Sequence, residues 1–158
     1  MSGNQRTRWT LTALLGVAAK CMLPGCATEP VQPGPDAGWF EAVRWEHRLL
    51  VITGNDERSE AQCRAFKAEA AGMLERDLIV VDASVDPGTV VVGAREDIPP
   101  ARLFRERFDL PESTFQVILV GKDGRTKERR DELFAPEDVF RIIDAMPMRI
   151  DEMRRNEN

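Results

Sequence analysis

The side chains best suited to covalent or metal chemistry are three cysteines and one histidine: Cys21, Cys26, Cys63 and His47. No two cysteines have the Cys-x-x-Cys spacing that thiol exchange ordinarily uses, and His47 has no partner at a metal-ligand spacing. The sequence therefore predicts no metal site, no cofactor and no Cys–His nucleophile pair. Each cysteine has to be interpreted from the segment that surrounds it.

Cys26 closes a segment with the three parts of a bacterial export signal. Arg6 and Arg8 give it a positive start, residues 11–19 form a short apolar run, and Leu-Pro-Gly-Cys ends it at Cys26. The apolar run is too short to span a bilayer, which favours a cleaved signal over a permanent helix. The last four residues resemble the lipobox, whose cysteine is acylated. We therefore expect a lipoprotein signal peptide over residues 1–25 and a lipid on Cys26.

A stretch rich in proline and glycine, residues 26–38, comes next and has little that could enter a core. Such a stretch is expected between a lipid anchor and a folded domain. It argues against two alternatives, a plain cleaved signal peptide and an apolar helix of the domain. Ala27 stands where an Asp would retain a lipoprotein at the inner membrane, so we expect the periplasmic side of the outer membrane. The folded domain then covers residues 39–158.

Composition narrows the class of protein. The chain has 158 residues, enough for one ordinary domain, and 42% hydrophobic with 31% charged residues is typical of a globular protein. The formal net charge is −5, and it becomes more negative once the basic signal segment is removed. An acidic chain without a dense basic patch repels phosphate backbones, so nucleic acid is not expected as a partner.

The domain alternates predicted strands and helices. Apolar runs and alternating patterns predict strands at five places: residues 48–54, 77–83, 89–92, 114–120 and 126–133. Helical spacing of apolar residues predicts four helices: residues 39–45, 59–75, 100–108 and 136–146. This order predicts an α/β fold of the thioredoxin-like kind, with a mixed central sheet of about four to five strands and helices on both faces.

Local signals predict where three elements begin, turn or end. Ser59 and Gln62 form a capping box for the helix that follows the first strand. Asp123-Gly124, next to alternating residues, predicts a tight hairpin turn. Pro147 is expected to stop the last helix.

Several short stretches, taken together, resemble the bacterial branch of the DUDES family, a thioredoxin-like domain of unknown function. The family is also found in extracellular sushi-repeat and coiled-coil-domain proteins of animals. The residues that carry the resemblance, called the motif residues below, are Trp45, Arg48, Arg76, Asp77, Gly121, Lys122, Asp123, Gly124, Asp144, Met146, Pro147, Met148, Arg149 and Glu152. The resemblance covers roughly residues 45–154. It implies a thioredoxin-like fold and export, and it brings neither an established activity nor catalytic residues.

Thioredoxin-type exchange needs a thiolate at the start of the helix after the first strand. Residues 55–58 occupy that place without a cysteine, and Gln116 stands where the hairpin register puts the usual cis-proline. Cys63 lies further along the helix on its apolar stripe, which favours a buried and inert thiol. The alternative is a one-cysteine site, for which Arg64 or Arg76 would supply the cation.

The expected function is therefore that of an envelope lipoprotein whose domain acts by contact with an unknown envelope protein. One alternative is a thiol oxidoreductase or peroxidase-like protein that uses Cys63. The other is a small-ligand carrier with a pocket at the carboxyl ends of the strands, beyond Gly54 and Asp82.

The methionines near the carboxyl end have two interpretations. Met146, Met148 and Met153 would suit a surface that adapts to a partner, because methionine is flexible and polarizable. Packing of Met146 into the core and docking of the tail on the sheet is the interpretation we favour. The charged residues of the tail, Arg149 among them, are expected to form a solvated face.

Overall fold

Within the described residues, 35–156 apart from 94 and 96, the computed structural model contains one five-stranded sheet and six helices. The strands are β1 (Arg48–Thr53), β2 (Leu78–Asp82), β3 (Thr89–Val92), β4 (Gln116–Val120) and β5 (Thr126–Arg130). The helices are α1 (Pro35–Val43), α2 (Glu57–Ala68), α3 (Ala70–Glu75), α4 (Ala101–Phe108), α5 (Pro136–Asp144) and α6 (Pro147–Asn156). The predicted export signal, with Cys21 and Cys26, lies outside the described residues.

The strand order in the sheet is β3-β2-β1-β4-β5. β1 and β2 are parallel, whereas β4 is antiparallel to both β1 and β5, and β3 is antiparallel to β2. The prediction of an α/β fold with a mixed sheet is confirmed. The predicted hairpin is also present, because residues 121–125 turn β4 directly into β5.

The central strand β1 is buried along its whole length, which explains its continuous apolar sequence. Leu49 and Val51 face a core shared with α1 and α4. Leu50 and Ile52 face a second core shared with α2, α3 and α5. Since successive side chains of a strand point to opposite faces, a strand covered on both faces has no position for a solvated side chain.

The start of α2 differs from the predicted capping box. Asp56 is the N-cap, and its carboxylate accepts hydrogen bonds from the backbone N–H groups of Arg58 and Ser59. The N-cap therefore lies three residues earlier than predicted, and Ser59 lies inside the first turn of the helix. Gln62 is buried and its side chain bonds to the backbone of Phe134 instead of the N-cap. The predicted helix over 59–75 is also divided, since α2 ends and α3 begins on either side of Glu69.

Pro147 begins a helix, and the expectation that it ends the last one is wrong. α5 ends at Asp144, and α6 runs from Pro147 to Asn156. Proline suits the first position of a helix because its φ is already helical and its missing N–H would have no helical partner there. The outcome matters for the rest of the molecule, because α6 carries Arg149 and Glu152 back to the sheet.

Candidate functional site

The charged motif residues gather at one edge of the sheet. Arg48 is the first residue of β1, Asp77 directly precedes β2, and Lys122 is the second residue after β4. Because β1 and β2 are parallel and β4 is antiparallel to them, these three chain positions meet at the same edge. α6 adds Arg149 and Glu152 from the carboxyl end of the chain. The ionic cluster, as we call it, consists of Arg48, Glu75, Arg76, Asp77, Lys122, Asp144, Arg149 and Glu152.

Arg48 and Glu152 form the centre of the ionic cluster. Arg48 is only 1% exposed. Its guanidinium donates to the Glu152 carboxylate at 3.2 Å and to the carbonyl of Arg76 at 2.8 Å. Lys122 lies 2.8 Å from Glu152 and 2.8 Å from Asp77. These contacts tie the first residue of β1, the end of β4 and α6 to one another.

Arg149 belongs to the same cluster, so the prediction that it lies on a solvated face is wrong. The side chain is almost fully buried, and its guanidinium lies 2.7 Å from the Glu75 carboxylate and 3.3 Å from Asp144. Asp144 in turn accepts two hydrogen bonds from Arg76, at 2.7 and 3.0 Å. Arg149 precedes Glu152 by three residues, which puts both on one side of α6. The sequence signal was present, since i,i+3 charges of a short helix share a face, but it required α6 to be recognised.

The carboxylates of the cluster are held in their ionised form. Partial burial by itself raises the pKa of Glu152, but hydrogen bonds from Lys122 and Arg48 outweigh it and keep the pKa below its ordinary value of 4.5. Burial opposes ionisation of Asp144 in the same way, and Arg76 and Arg149 hold its pKa below 3.8. A folded-state pKa that is lowered adds stability above the unfolded pKa.

We therefore expect acid to weaken the fold through this cluster. The free energy of unfolding should stay level from neutral pH down to about pH 5 and then fall as Glu152 and Asp144 take up protons. Denaturant unfolding measured across this range checks the expectation. Glu152→Gln should make the acid dependence shallower, because one carboxylate with a lowered pKa is removed, whereas Glu132→Gln, on an exposed carboxylate, should leave it unchanged. An equal dependence in both variants would contradict the assignment.

An apolar pocket of about 410 Å³ borders the ionic cluster, and we call it the methionine pocket. Its lining consists almost entirely of motif residues and their neighbours: Arg48, Gly121, Lys122, Asp123, Lys127, Ala145, Met146, Pro147 and Met148. Met146 packs against the core, as predicted, whereas Met148 is 37% exposed. The Nε of Arg48 is buried and has no hydrogen-bond partner among the described residues. The pocket is therefore largely apolar, and one of its lining residues, Arg48, keeps a buried polar atom unpaired.

The Gly121–Gly124 turn forms one wall of this pocket. Gly124 has φ +74°, a conformation that glycine adopts without strain. The Asp123 carboxylate accepts a hydrogen bond from the backbone N–H of Arg125 and forms an ion pair with Lys127 at 2.7 Å. These contacts within the hairpin hold the turn in place. The carbonyl of Lys122 accepts the backbone N–H of Trp45, whose indole is 57% exposed.

Cys63 lies on α2, outside the ionic cluster, and is partly buried. Its sulfur is 3.7 Å from Oδ2 of Asp82, at the carboxyl end of β2. Burial raises the pKa of the thiol to about 12, and the negative charge of Asp82 adds to the effect more than Arg64 offsets it. Arg76, the other candidate cation for the thiol, forms an ion pair with Asp144. The thiol is therefore protonated and donates to a carboxylate, which is the reverse of an activated cysteine.

Native Cys63 should consequently react very slowly with a chromogenic disulfide reagent. At pH 8 a thiol with this pKa is about 10⁻⁴ ionised, so labelling should become rapid only in denaturant. The measurement is best made with Cys21→Ser and Cys26→Ser, so that Cys63 alone reports. Asp82→Asn should raise the native labelling rate about tenfold, because it removes a charge that opposes the thiolate. Asp131→Asn is the control, and rapid labelling without denaturant at neutral pH would revive the oxidoreductase alternative.

A shallow depression of about 290 Å³ lies beside Cys63, and its lining includes Arg64, Lys67 and Asp82. The ligand-carrier alternative predicted a pocket beyond Asp82, and this depression is the feature that corresponds to it. In the described part of the chain, no group of histidine, cysteine and carboxylate side chains is arranged to hold a metal ion. No helix between residues 35 and 156 combines the length and apolarity needed to cross a bilayer.

Comparison with known proteins places these features in a family. A family model described as "Domain of unknown function (DUF4174)" matches residues 40–152, which include all the motif residues. The sushi repeat-containing protein SRPX of Rattus norvegicus is 30% identical over 138 residues, covering 82% of this chain and 30% of the relative. The proteins of Homo sapiens and Mus musculus that bear this name are each 29% identical over the same shares.

The predicted kinship with a domain of unknown function in sushi-repeat proteins is thereby confirmed. The match extends over less than a third of the length of these relatives, so it concerns one domain of each. No solved structure matches the chain significantly. Because the family model spans most of the chain, this protein belongs to the DUF4174 family, whose domain has no known function.

Proposed function

We propose that this chain is an envelope lipoprotein whose thioredoxin-like domain binds another protein and catalyses no reaction. The observation that carries the proposal is the position of the motif residues. Seven of the fourteen line the methionine pocket, at the end of the sheet where β1 begins, and most of the others belong to the ionic cluster beside it. Thioredoxin-type chemistry would take place at the opposite edge, where β1 ends and α2 begins.

The thioredoxin-like part of the proposal rests on strand order and direction. β1, α2 and β2 make a parallel unit, and β4, β5 and α5 make an antiparallel hairpin with a closing helix. β1 and β4 join the two units side by side. β3 is then an addition at the β2 edge.

The place where thioredoxin-type exchange needs a reactive thiol, the N-terminus of α2, does not have one. Residues 55–58 contain no cysteine, and the N-terminus of α2 is capped by the Asp56 carboxylate. The one described cysteine has a pKa of about 12, so it is a poor nucleophile. The ionic cluster is internally paired, with each guanidinium already donating to a carboxylate or carbonyl, which suits a structural role better than general acid–base work.

A protein is the partner best suited to the methionine pocket. Flexible methionine side chains adapt to apolar side chains of different shapes. Met148 and Pro147 provide the apolar surface, and Asp123 and Lys127 provide a charged rim, which is the usual layout of a protein contact. The export signal and the lipid on Cys26 would hold this pocket within the envelope, on the periplasmic side of the outer membrane.

Site-specific photocrosslinking in the native host tests the proposal. A photoreactive phenylalanine analogue replaces Met148, and we expect a discrete crosslinked product of one partner protein. Adding Met146→Glu to this chain should abolish the product, because an apolar partner would strip water from the new carboxylate without pairing it. The same crosslinked product should form in a chain with Cys63→Ser, since the thiol does not contribute to the proposed binding.

The matched control carries the analogue at Leu74, an apolar residue that is 50% exposed and lies on α3, away from the pocket. It should give no comparable product. If position 148 gives no product, or positions 74 and 148 give the same ones, the methionine pocket is not a protein-binding site.

A further inference from the structure

A second pocket lies on the other side of the Gly121–Gly124 turn, and we call it the arginine pocket. Its volume is about 200 Å³, and residues of α1, α4 and the turn line it. Apolar residues that include Phe40 and Phe108 form part of its lining. Arg44, Arg107 and Arg125 converge on it from three separate elements of the chain.

The arginines of this pocket carry positive charge that the protein itself neutralises only in part. Among the described residues, neither Arg107 nor Arg125 makes an ion pair through its side chain. Arg44 has one, at 3.4 Å to Glu41, and both members of that pair are exposed. The other carboxylate that lines the pocket, Asp123, is already paired with Lys127 at 2.7 Å. The pocket is therefore positive on balance, in a chain whose formal net charge is −5.

The ligand chemistry follows from the side chains. A guanidinium presents a planar fork of N–H donors that matches the oxygens of phosphate or carboxylate. One guanidinium balances a carboxylate, whereas a phosphate can engage two or three of them. The volume is also smaller than the roughly 300–1,000 Å³ of sites for drug-sized molecules, so a single anionic group suits it best.

We propose that the arginine pocket binds a phosphate group through Arg44, Arg107 and Arg125. The proposal does not depend on the function assigned to the methionine pocket, although Gly121 and Asp123 line both. Two sources offer this chemistry in an envelope, a free phosphate or the headgroup of a phospholipid.

The first test uses inorganic phosphate as the probe and the full chain with Cys26→Ser, so that no acyl anchor contributes. Amide NMR at constant ionic strength should show saturable shifts at Gly124 and Arg125 with phosphate and none with chloride. The double variant Arg107→Gln with Arg125→Gln should weaken binding by more than about tenfold, because two charge-assisted contacts are lost.

The matched control is the double variant Arg64→Gln with Arg102→Gln. It removes the same charge from two exposed arginines outside the pocket, each held only by a weak pair within its own helix. Binding should be unchanged in this control. Shifts that never saturate, or that weaken equally in both double variants, overturn the proposal, since they report only the overall charge of the chain.

Sedimentation with vesicles distinguishes the sources. Phosphatidylcholine vesicles with and without phosphatidylglycerol are incubated with the same three proteins. Binding that requires phosphatidylglycerol and is lost only in the Arg107→Gln, Arg125→Gln variant assigns the pocket to a lipid headgroup. Saturable phosphate shifts without such vesicle binding assign it to a free phosphate. Vesicle binding that both double variants retain, with no phosphate shifts, overturns the site.

Discussion

Arg48→Met is expected to lower the free energy of unfolding by about 3 kcal/mol. The guanidinium is 1% exposed, and removing it takes away its contacts to Glu152 and to the Arg76 carbonyl. Breaking a buried pair by deleting one partner leaves the other charge poorly compensated in a dry environment. Glu152 keeps Lys122 at 2.8 Å, which places the expected loss at the lower end of the range for buried pairs. Denaturant unfolding at neutral pH measures it.

Arg44→Met is the control for this prediction. Arg44 lies four residues earlier, is exposed, and makes only an exposed pair with Glu41. Its replacement should change stability by no more than about 0.5 kcal/mol. A loss below about 1 kcal/mol for Arg48→Met would show that the ionic cluster does not hold α6 to the sheet.

Gln62→Leu should cost about 2–4 kcal/mol, an effect that the helical pattern of α2 does not suggest. The buried amide donates to the Phe134 carbonyl at 2.8 Å and accepts the Phe134 N–H at 2.7 Å. Leucine has a similar size but no polar atoms, so both backbone groups of Phe134 would lose their partners while buried. Denaturant unfolding compared with the unmodified chain gives the loss.

Glu60→Leu serves as the comparison for this substitution. It adds the same side chain to the same helix at an exposed position, where only a weak pair with Arg64 is removed. We expect a change within about 0.5 kcal/mol. Equal losses for the two variants would mean that Gln62 contributes through helix propensity alone.

The two stability predictions concern different parts of the architecture. The Arg48 contacts connect residues 104 positions apart and join α6 to the start of β1. The Gln62 contacts connect residues 72 positions apart and join α2 to the segment before α5. If the proposed function is right, only the first should also alter the methionine pocket, because Arg48 lines it. Crosslinking at position 148 in the two variants would separate the effects.

The sequence by itself determined the strands, the hairpin and the mixed α/β architecture, because these depend on patterns within a few residues. A short apolar run such as residues 49–52, stopped soon afterwards by Gly54, is typical of a strand covered on both faces. Asp123-Gly124 marks the turn because few other pairs tolerate its backbone geometry. The family resemblance also identified the motif residues, most of which lie together at the end of the sheet where β1 begins.

Tertiary structure decided the environment of individual side chains. Arg149 looked solvated in a charged tail, and it is buried because α6 folds back onto Glu75 and Asp144. Gln62 looked like a cap residue, and its partner Phe134 is remote in sequence. The pKa of Cys63 is raised by burial and, to a smaller extent, by Asp82, neither of which local sequence specifies. Local patterns fix backbone conformation, whereas ion pairs, buried amides and pKa values depend on which distant segments the fold brings together.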